Sequence, residues 1–279
     1  MYIYHNGQII RQEEAMISPF DHGFLYGMGL FETFRVYNGH PFLLKEHVKR
    51  LNAGLETLNI QKQLTLTEVN QALQELLSAN SYTNAYIRFN VSAGMGEVGL
   101  RTAPYGDPNV LIFSKPLPEA GEMTAKKAVL LKLKRNTPEG FDRLKSHHYM
   151  NNILAKREIG DAPDQEGIFL TAEGFIAEGI VSNVFWKKGN VLFTPAIQTG
   201  ILNGITRQFI IRSVKQMGME VEEGFYPPEH AFAAEEMFVT NSIQEIVPIS
   251  QFDGLTMPGK QGEFVQQLHQ YYRDVCEQL

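Results

Sequence analysis

The chain has almost no cysteine, no surplus of positive charge and no long apolar run, and each lack removes a class of function. Cys276 is the only cysteine in 279 residues, so neither an intrachain disulfide nor a cysteine-based zinc site is available, as a reducing compartment would suggest. Lys and Arg number 25 against 31 Asp and Glu, a net charge of -6, with no block of like charges. A nucleic-acid partner asks for a basic footprint that displaces counterions, and none is visible. No apolar stretch comes near the roughly eighteen residues of a membrane span. The opening Met1-Tyr2-Ile3-Tyr4-His5-Asn6-Gly7 has neither the charged nor the apolar region of a secretion signal. A soluble, cytoplasmic protein without nucleic-acid or membrane partners is expected.

What is present suffices for a sizeable core, since 43% of the residues are hydrophobic, and the length favours two domains. Tyr2-Ile3-Tyr4 and Gln8-Ile9-Ile10 flank Asn6-Gly7, the pair that tolerates the positive φ angles of a type I′ turn, and Asn38-Gly39 repeats the device after Phe31 to Tyr37. Leu44, Val48, Leu51, Leu55 and Leu58 recur at helical steps with Arg50 beside the stripe, and Thr65 to Glu68 fits a capping box ahead of a second helix. Strands are expected at Ala85 to Val91 and Val110 to Ser114. Two prolines and a glycine between Lys115 and Glu122 stop regular structure, which places an N-terminal α/β domain over 1–116, a linker over 117–122 and a C-terminal α+β domain over 123–279. In that second part, strands are expected at Ala128 to Lys134, Gly167 to Thr171, Asn183 to Trp186 and Val191 to Phe193. Helices are expected at Asn151 to Ile159, after Asn203-Gly204, and at the end with Phe264, Leu268, Tyr271 and Val275 apolar. The whole reads as α+β, with a cleft between domains as the default ligand site.

Four stretches carry candidate chemistry. Leu144 to Asn152 crowds Lys145, His147, His148 and Tyr149 ahead of a helix, where polar residues also gather simply to cap. A lysine becomes a nucleophile or base when burial or a neighbouring cation depresses its pKa. Adjacent histidines point to different sides and no ligand spacing is visible, so no metal is expected. Gly204-Ile205-Thr206 enters a helix with free N–H groups and a hydroxyl, which suits an anion as well as an ordinary helix start, and Thr240-Asn241-Ser242 offers further small donors or an ordinary turn. Glu178 interrupts the apolar run Phe175 to Val181 and needs a cationic partner, for which a protonated heterocycle or any arginine would serve.

In this order and spacing, Asp21 to Gly27, Gly29 to Thr33, Glu46 to Leu51, Lys145 to Ala155, Glu178 to Phe185, Thr194-Pro195 and Gly200 to Arg207 resemble the class IV aminotransferases, the fold type IV pyridoxal-phosphate enzymes. The resemblance implies a two-domain α+β fold like that of D-amino acid aminotransferase, with pyridoxal 5'-phosphate in the interdomain cleft. It implies Lys145 as the Schiff-base lysine, Glu178 against the pyridine nitrogen, and Arg50 for the phosphate charge. Ile205 and Thr206 would hold the phosphate with help from Thr240 or Asn241, Tyr149 would stand near the phenolic oxygen, and Thr33 would place a hydroxyl near the reacting carbon. Arg88 would meet a substrate carboxylate or the solvent. A homodimer acting on a small-molecule substrate is likewise implied.

Within the family, Asn183 to Val191, Asn203 to Phe209 and Thr240 to Pro248 look most like the aminodeoxychorismate lyase branch. That branch makes 4-aminobenzoate and pyruvate from 4-amino-4-deoxychorismate, a step of folate biosynthesis. Branched-chain and D-amino acid transamination are the alternatives. The Arg-x-His pair of the latter is not apparent between Ser92 and Arg101, and the joint presence of Lys145, Glu178 and Arg50 speaks against a non-catalytic relative.

Overall fold

Apolar residues that alternate along strands and recur every three or four along helices leave each sheet one face to cover, and the chain does this twice. The computed structural model describes residues 1–277. Contacts divide the chain into two units, Met1–Gly121 with Leu144–His148, and Glu122–Arg143 with the residues from Tyr149 onward.

The first unit holds β1 (Tyr2–His5), β2 (Gln8–Arg11), α1 (His22–Tyr26), β3 (Gly29–Tyr37), β4 (His40–Pro41), α2 (Leu44–Thr57), α3 (Leu66–Asn80), β5 (Ala85–Ser92) and β6 (Asn109–Pro116). Its six strands run in the order β2-β1-β6-β5-β3-β4, every pair antiparallel. The turn between β1 and β2 has φ of 46° at Asn6 and 91° at Gly7, as a type I′ turn requires. One face of the sheet, with Leu30, Phe34, Val36, Ile87 and Phe89, is covered by Val48, Leu51 and Leu55 of α2 and Leu73 and Leu76 of α3. The expected capping box of α3 is formed between Thr65 and Glu68. The opposite face carries the alternate residues of β3 and β5, among them Phe31, Thr33, Arg88 and Asn90.

The second unit holds β7 (Lys126–Leu130), α4 (Met150–Ile159), β8 (Gln165–Leu170), β9 (Ile176–Gly179), β10 (Asn183–Lys188), β11 (Val191–Pro195), α5 (Ile205–Gln216), β12 (Glu220–Gly224), α6 (Pro228–Phe232), β13 (Glu236–Asn241), β14 (Glu245–Phe252), β15 (Leu255–Thr256) and α7 (Glu263–Glu277). Its sheet runs β12-β11-β10-β13-β14-β7-β8-β9, with β15 paired to β14. Parallel pairs join β11 to β12 and β7 to both β14 and β8.

Three expectations change. The strand foreseen to Lys134 ends at Leu130, because the N–H groups of Lys132 and Leu133 turn to the Glu158 carboxylate of α4 instead of a neighbouring strand. The last helix buries Val265, Tyr272 and Cys276 beside Phe264 and Leu268, so its stripe lies one residue beyond Tyr271 and Val275. The units meet in sequence at Gly121, yet Leu144–His148, placed by the sequence boundaries in the second domain, belongs to the first unit. Leu144 packs on the first unit's core, and the Lys145 carbonyl accepts the Phe31 N–H at 2.9 Å while the His147 N–H donates to Gly29 at 3.0 Å.

Candidate functional site

Lys145 lies on a short extended segment paired with the start of β3, through an antiparallel bridge between Leu30 and Ser146. Its Nζ stands 4.4 Å from the centroid of the Phe31 ring. The Arg88 guanidinium lies 3.8 Å from the same centroid, so two cations share one aromatic ring. Thr33 sits on the same sheet face, two positions along β3 from Phe31 and directly opposite Arg88. His147, beside this pair, donates or accepts through Nε2 to Asn90 Oδ1 at 3.0 Å. Burial, reinforced by the Arg88 charge, lowers its pKa to about 4, so the imidazole is neutral at physiological pH.

Glu32 occupies the core face of the sheet, between Leu30 and Phe34, and is 2% exposed. A charge there is costly without partners, and α2 supplies two from consecutive turns. Arg50 grips the carboxylate with a fork, Nε to Oε1 at 2.7 Å and Nη2 to Oε2 at 2.6 Å, and His47 Nδ1 meets Oε2 at 2.7 Å. Burial alone would raise the Glu32 carboxyl. The Arg50 charge and the hydrogen bonds from His47 and Arg50 outweigh burial and hold it at about 2. Burial pushes His47 down. Arg50, expected from sequence as a phosphate ligand, thus has two of its nitrogens committed to Glu32, a partner that the sequence reading did not name.

In the second unit Glu178 is 4% exposed, on the wholly buried β9. Its Oε1 accepts from Arg135 Nε at 2.8 Å and faces Arg143 Nε at 3.7 Å, while Oε2 accepts the Leu202 N–H at 3.0 Å. Arg135 also donates to Asn151 Oδ1 at 2.7 Å and so ties the first turn of α4 to the carboxylate. Burial, and then the charge of Arg135, lowers the Arg143 pKa to about 10, still far above neutrality. Each Glu178 oxygen keeps acceptor capacity beyond these bonds, since a carboxylate offers about four lone-pair positions. Tyr149 is half-buried at the N-cap of α4.

Ile205 and Thr206 open α5 after Gly204, where no carbonyl four residues earlier is available to their N–H groups. The Thr206 hydroxyl lies 3.0 Å from that of Ser242. Thr240 and Asn241, expected to assist with a phosphate, spend their side chains on the turn between β13 and β14. The Thr240 hydroxyl donates to the Glu245 carbonyl at 2.6 Å, and Asn241 Oδ1 accepts from the N–H groups of Ile243 and Gln244. That turn is what carries Ser242 to Thr206. Among the described residues, no three His, Cys, Asp or Glu side chains are grouped to hold a metal ion.

The model of the family described as amino-transferase class IV matches residues 29–252. The chain belongs to this family. Among class IV relatives, the aminodeoxychorismate lyase of Bacillus subtilis (strain 168) is 45% identical over 273 residues, covering 97% of this chain and 93% of that protein. The branched-chain aminotransferase of Thermoproteus uzoniensis, solved with norvaline, superposes with a TM-score of 0.89 at 27% identity, covering 99% of this chain and 94% of that one. The branched-chain amino acid aminotransferase of T.th., solved with N-(5'-phosphopyridoxyl)-L-glutamate, superposes with a TM-score of 0.87 at 28% identity over 99% of this chain and 93% of that one. Class IV enzymes depend on pyridoxal phosphate, and each unit holds groups of the kind such a cofactor takes: in the first an amine on an aromatic face, in the second a buried carboxylate with spare acceptor positions and a helix start with hydroxyls beside it.

Proposed function

We propose that this chain is a pyridoxal-phosphate lyase that converts 4-amino-4-deoxychorismate into 4-aminobenzoate and pyruvate. The observation that carries the reading is the 45% identity to a lyase of that kind across almost the whole chain, against 36% for a relative described as a putative branched-chain-amino-acid aminotransferase and 27–30% for branched-chain aminotransferase structures. The bound cofactor supplies an aldehyde that holds amines covalently and a ring that accepts the electron pair released when a C–H bond breaks.

Within this reading Lys145 Nζ would hold the cofactor and would serve as the base that takes the proton from the substrate's amine-bearing carbon. Glu178, held by Arg135 and faced by Arg143, would accept the hydrogen bond of the protonated ring nitrogen. Ile205 and Thr206 receive the phosphate at the start of α5, with Thr240 and Asn241 shaping the turn that presents Ser242, and Arg50 contributes positive charge. Tyr149 stands by the phenolic oxygen, and the Thr33 hydroxyl serves the reacting carbon. Loss of the substrate's enol ether substituent as pyruvate leaves an aromatic ring, and the two products account for every atom of the substrate.

We assign the same protein a homodimeric state and a cytoplasmic location. The dimer is supported by large apolar side chains exposed on the first unit, Phe20, Phe24, Met95, Val98 and Leu100. Size-exclusion at micromolar concentration tests it. The location is supported by a free, buried Cys276 as the only thiol.

Purified protein given aminodeoxychorismate and pyridoxal phosphate should release pyruvate and fluorescent 4-aminobenzoate in equal amounts with no keto-acid acceptor. Strict dependence on 2-oxoglutarate would instead establish transamination.

A further inference from the structure

Two glycines, Gly27 at the C-cap of α1 and Gly29 at the start of β3, each lie directly beneath one of the two adjacent histidines of the lysine segment. A Cβ added at Gly29 would stand 2.2 Å from His147 Cε1, and one added at Gly27 would stand 2.4 Å from His148 Cδ2. No side-chain carbon fits at either distance. The histidines are then tied down separately, His147 Nε2 to Asn90 Oδ1 at 3.0 Å and His148 Nε2 to the Tyr26 carbonyl at 3.1 Å. Between them and Lys145 lies only Ser146, bridged to Leu30. Every one of these residues belongs to the first unit.

We propose that His147 and His148 are positioning residues, which seat on Gly29 and Gly27 and thereby fix where the Lys145 amine stands over Phe31. The proposal rests on the reading of Lys145 as the cofactor's lysine. A two-residue β-bridge alone would let the segment slip or fray, because an edge segment this short has few ladder hydrogen bonds. Two imidazoles seated on glycine gaps fix both its register and its distance from β3. The neutral state of His147 suits this task, since a charged ring would add a third cation beside Arg88 and Lys145. The pairing of a His-His step with a Gly-x-Gly step also accounts for glycine at position 29, whose backbone has ordinary φ and needs only the space.

The test follows covalent capture of pyridoxal phosphate by the full-length apoprotein. In that step Lys145 Nζ bonds to the aldehyde carbon, and the aldehyde oxygen leaves as water with the two protons of the neutral amine. Borohydride then adds hydride to that carbon and the nitrogen takes a proton from water, so mass spectrometry locates the label. His147→Ala should slow capture about tenfold, as expected when a nucleophile is displaced by a fraction of an ångström to one ångström. His147→Gln, which keeps a donor for Asn90, should recover most of the rate, and His148→Ala should slow capture as well. Binding of 4-deoxypyridoxine 5-phosphate, which lacks the aldehyde, should stay within about twofold in all three variants, since only the amine has moved.

Capture by His147→Ala at the wild-type rate overturns the proposal, and so does an equal loss of capture and of binding to the aldehyde-free analogue. A Lys145→Ala protein that is labelled as fully as wild type removes the reading of Lys145 itself and the proposal with it. With Lys145→Ala inert, the His147 results judge the positioning role alone.

Discussion

Replacing Glu32 with glutamine keeps the size of the side chain and removes the charge that Arg50 and His47 grip. The carboxyl sits at about 2 in the folded chain against 4.5 for an unperturbed glutamate. A group whose folded pKa is depressed adds stability that is complete above its unfolded value and is lost as the pH falls through the folded one. At roughly 1.4 kcal/mol for each pH unit of displacement, Glu32 contributes ~3 kcal/mol at neutral pH, and linkage leaves ~2 kcal/mol at about pH 3.5. The same order of loss is expected for removing one partner of a buried ion pair, about 3–5 kcal/mol, because the other charge stays behind. Urea unfolding followed by far-UV circular dichroism gives the free energies of wild type and Glu32→Gln at each pH. Glutamine does not titrate, so any fixed packing difference cancels when the gap between the two proteins is compared across pH. That gap should be several kcal/mol at neutral pH and should shrink by ~1 kcal/mol by about pH 3.5. A gap that stays level over this range, with NMR titration showing His47 in the same charge state in both proteins, would refute the claim that Arg50 and His47 hold Glu32 ionised in the fold.

Arg135→Met leaves Glu178 buried with one guanidinium fewer and should cost ~3 kcal/mol. The chain's single tryptophan, Trp186, lies in the same unit, so its fluorescence through a urea titration measures the loss. Thr65→Ala removes one half of the capping box at the start of α3 and should lower stability by ~1 kcal/mol in thermal unfolding. Cys276 is 6% exposed, and its thiol should resist an aromatic disulfide reagent in buffer while reacting fully in urea.

Local signals were legible in the sequence wherever neighbours along the chain decide the outcome. Asn6-Gly7 closes its hairpin, and Leu44, Val48, Leu51 and Leu55 all face the core from α2. Turn chemistry and helical period need no knowledge of the rest of the fold. The failures come where distant residues compete. Glu158, on a helix, takes the N–H groups that would have extended β7. Tyr271 and Tyr272 are equally apolar to a period count, and only the packed neighbours decide which turns inward. Lys145 follows the second unit's segments in sequence, yet Leu144 and a β-bridge draw it to the first, which no composition shift announces. In the candidate site, the helix start that makes Thr206 a candidate in the sequence is the start of α5. The neighbour of Thr206, Ser242, was not singled out, because Thr240 and Asn241 in the same turn offer the same chemistry to a reader of sequence alone.

The two buried carboxylates show how far a sequence can carry such an argument. Glu178 stands out because it breaks an apolar run, and a carboxylate there needs a cation; Arg135 and Arg143 meet that need from within the chain. Glu32 did not stand out, because Phe31, Thr33 and Arg35 alternate around it and make the strand look half polar. On β3, however, the alternate positions are Leu30, Glu32, Phe34 and Val36, which together form the face that α2 covers. Replacing each carboxylate together with its cationic partners by apolar residues would avoid the desolvation of an ion pair and is commonly as stable or more so, whereas removing the carboxylate alone leaves the cations behind. Fold stability therefore gives no reason to keep a carboxylate in either sheet. What each carboxylate does provide is a guanidinium held in one orientation, by a two-pronged fork at Arg50 and by a single Nε contact at Arg135, and fixed cations of that kind serve anionic ligands and the groups that polarise them.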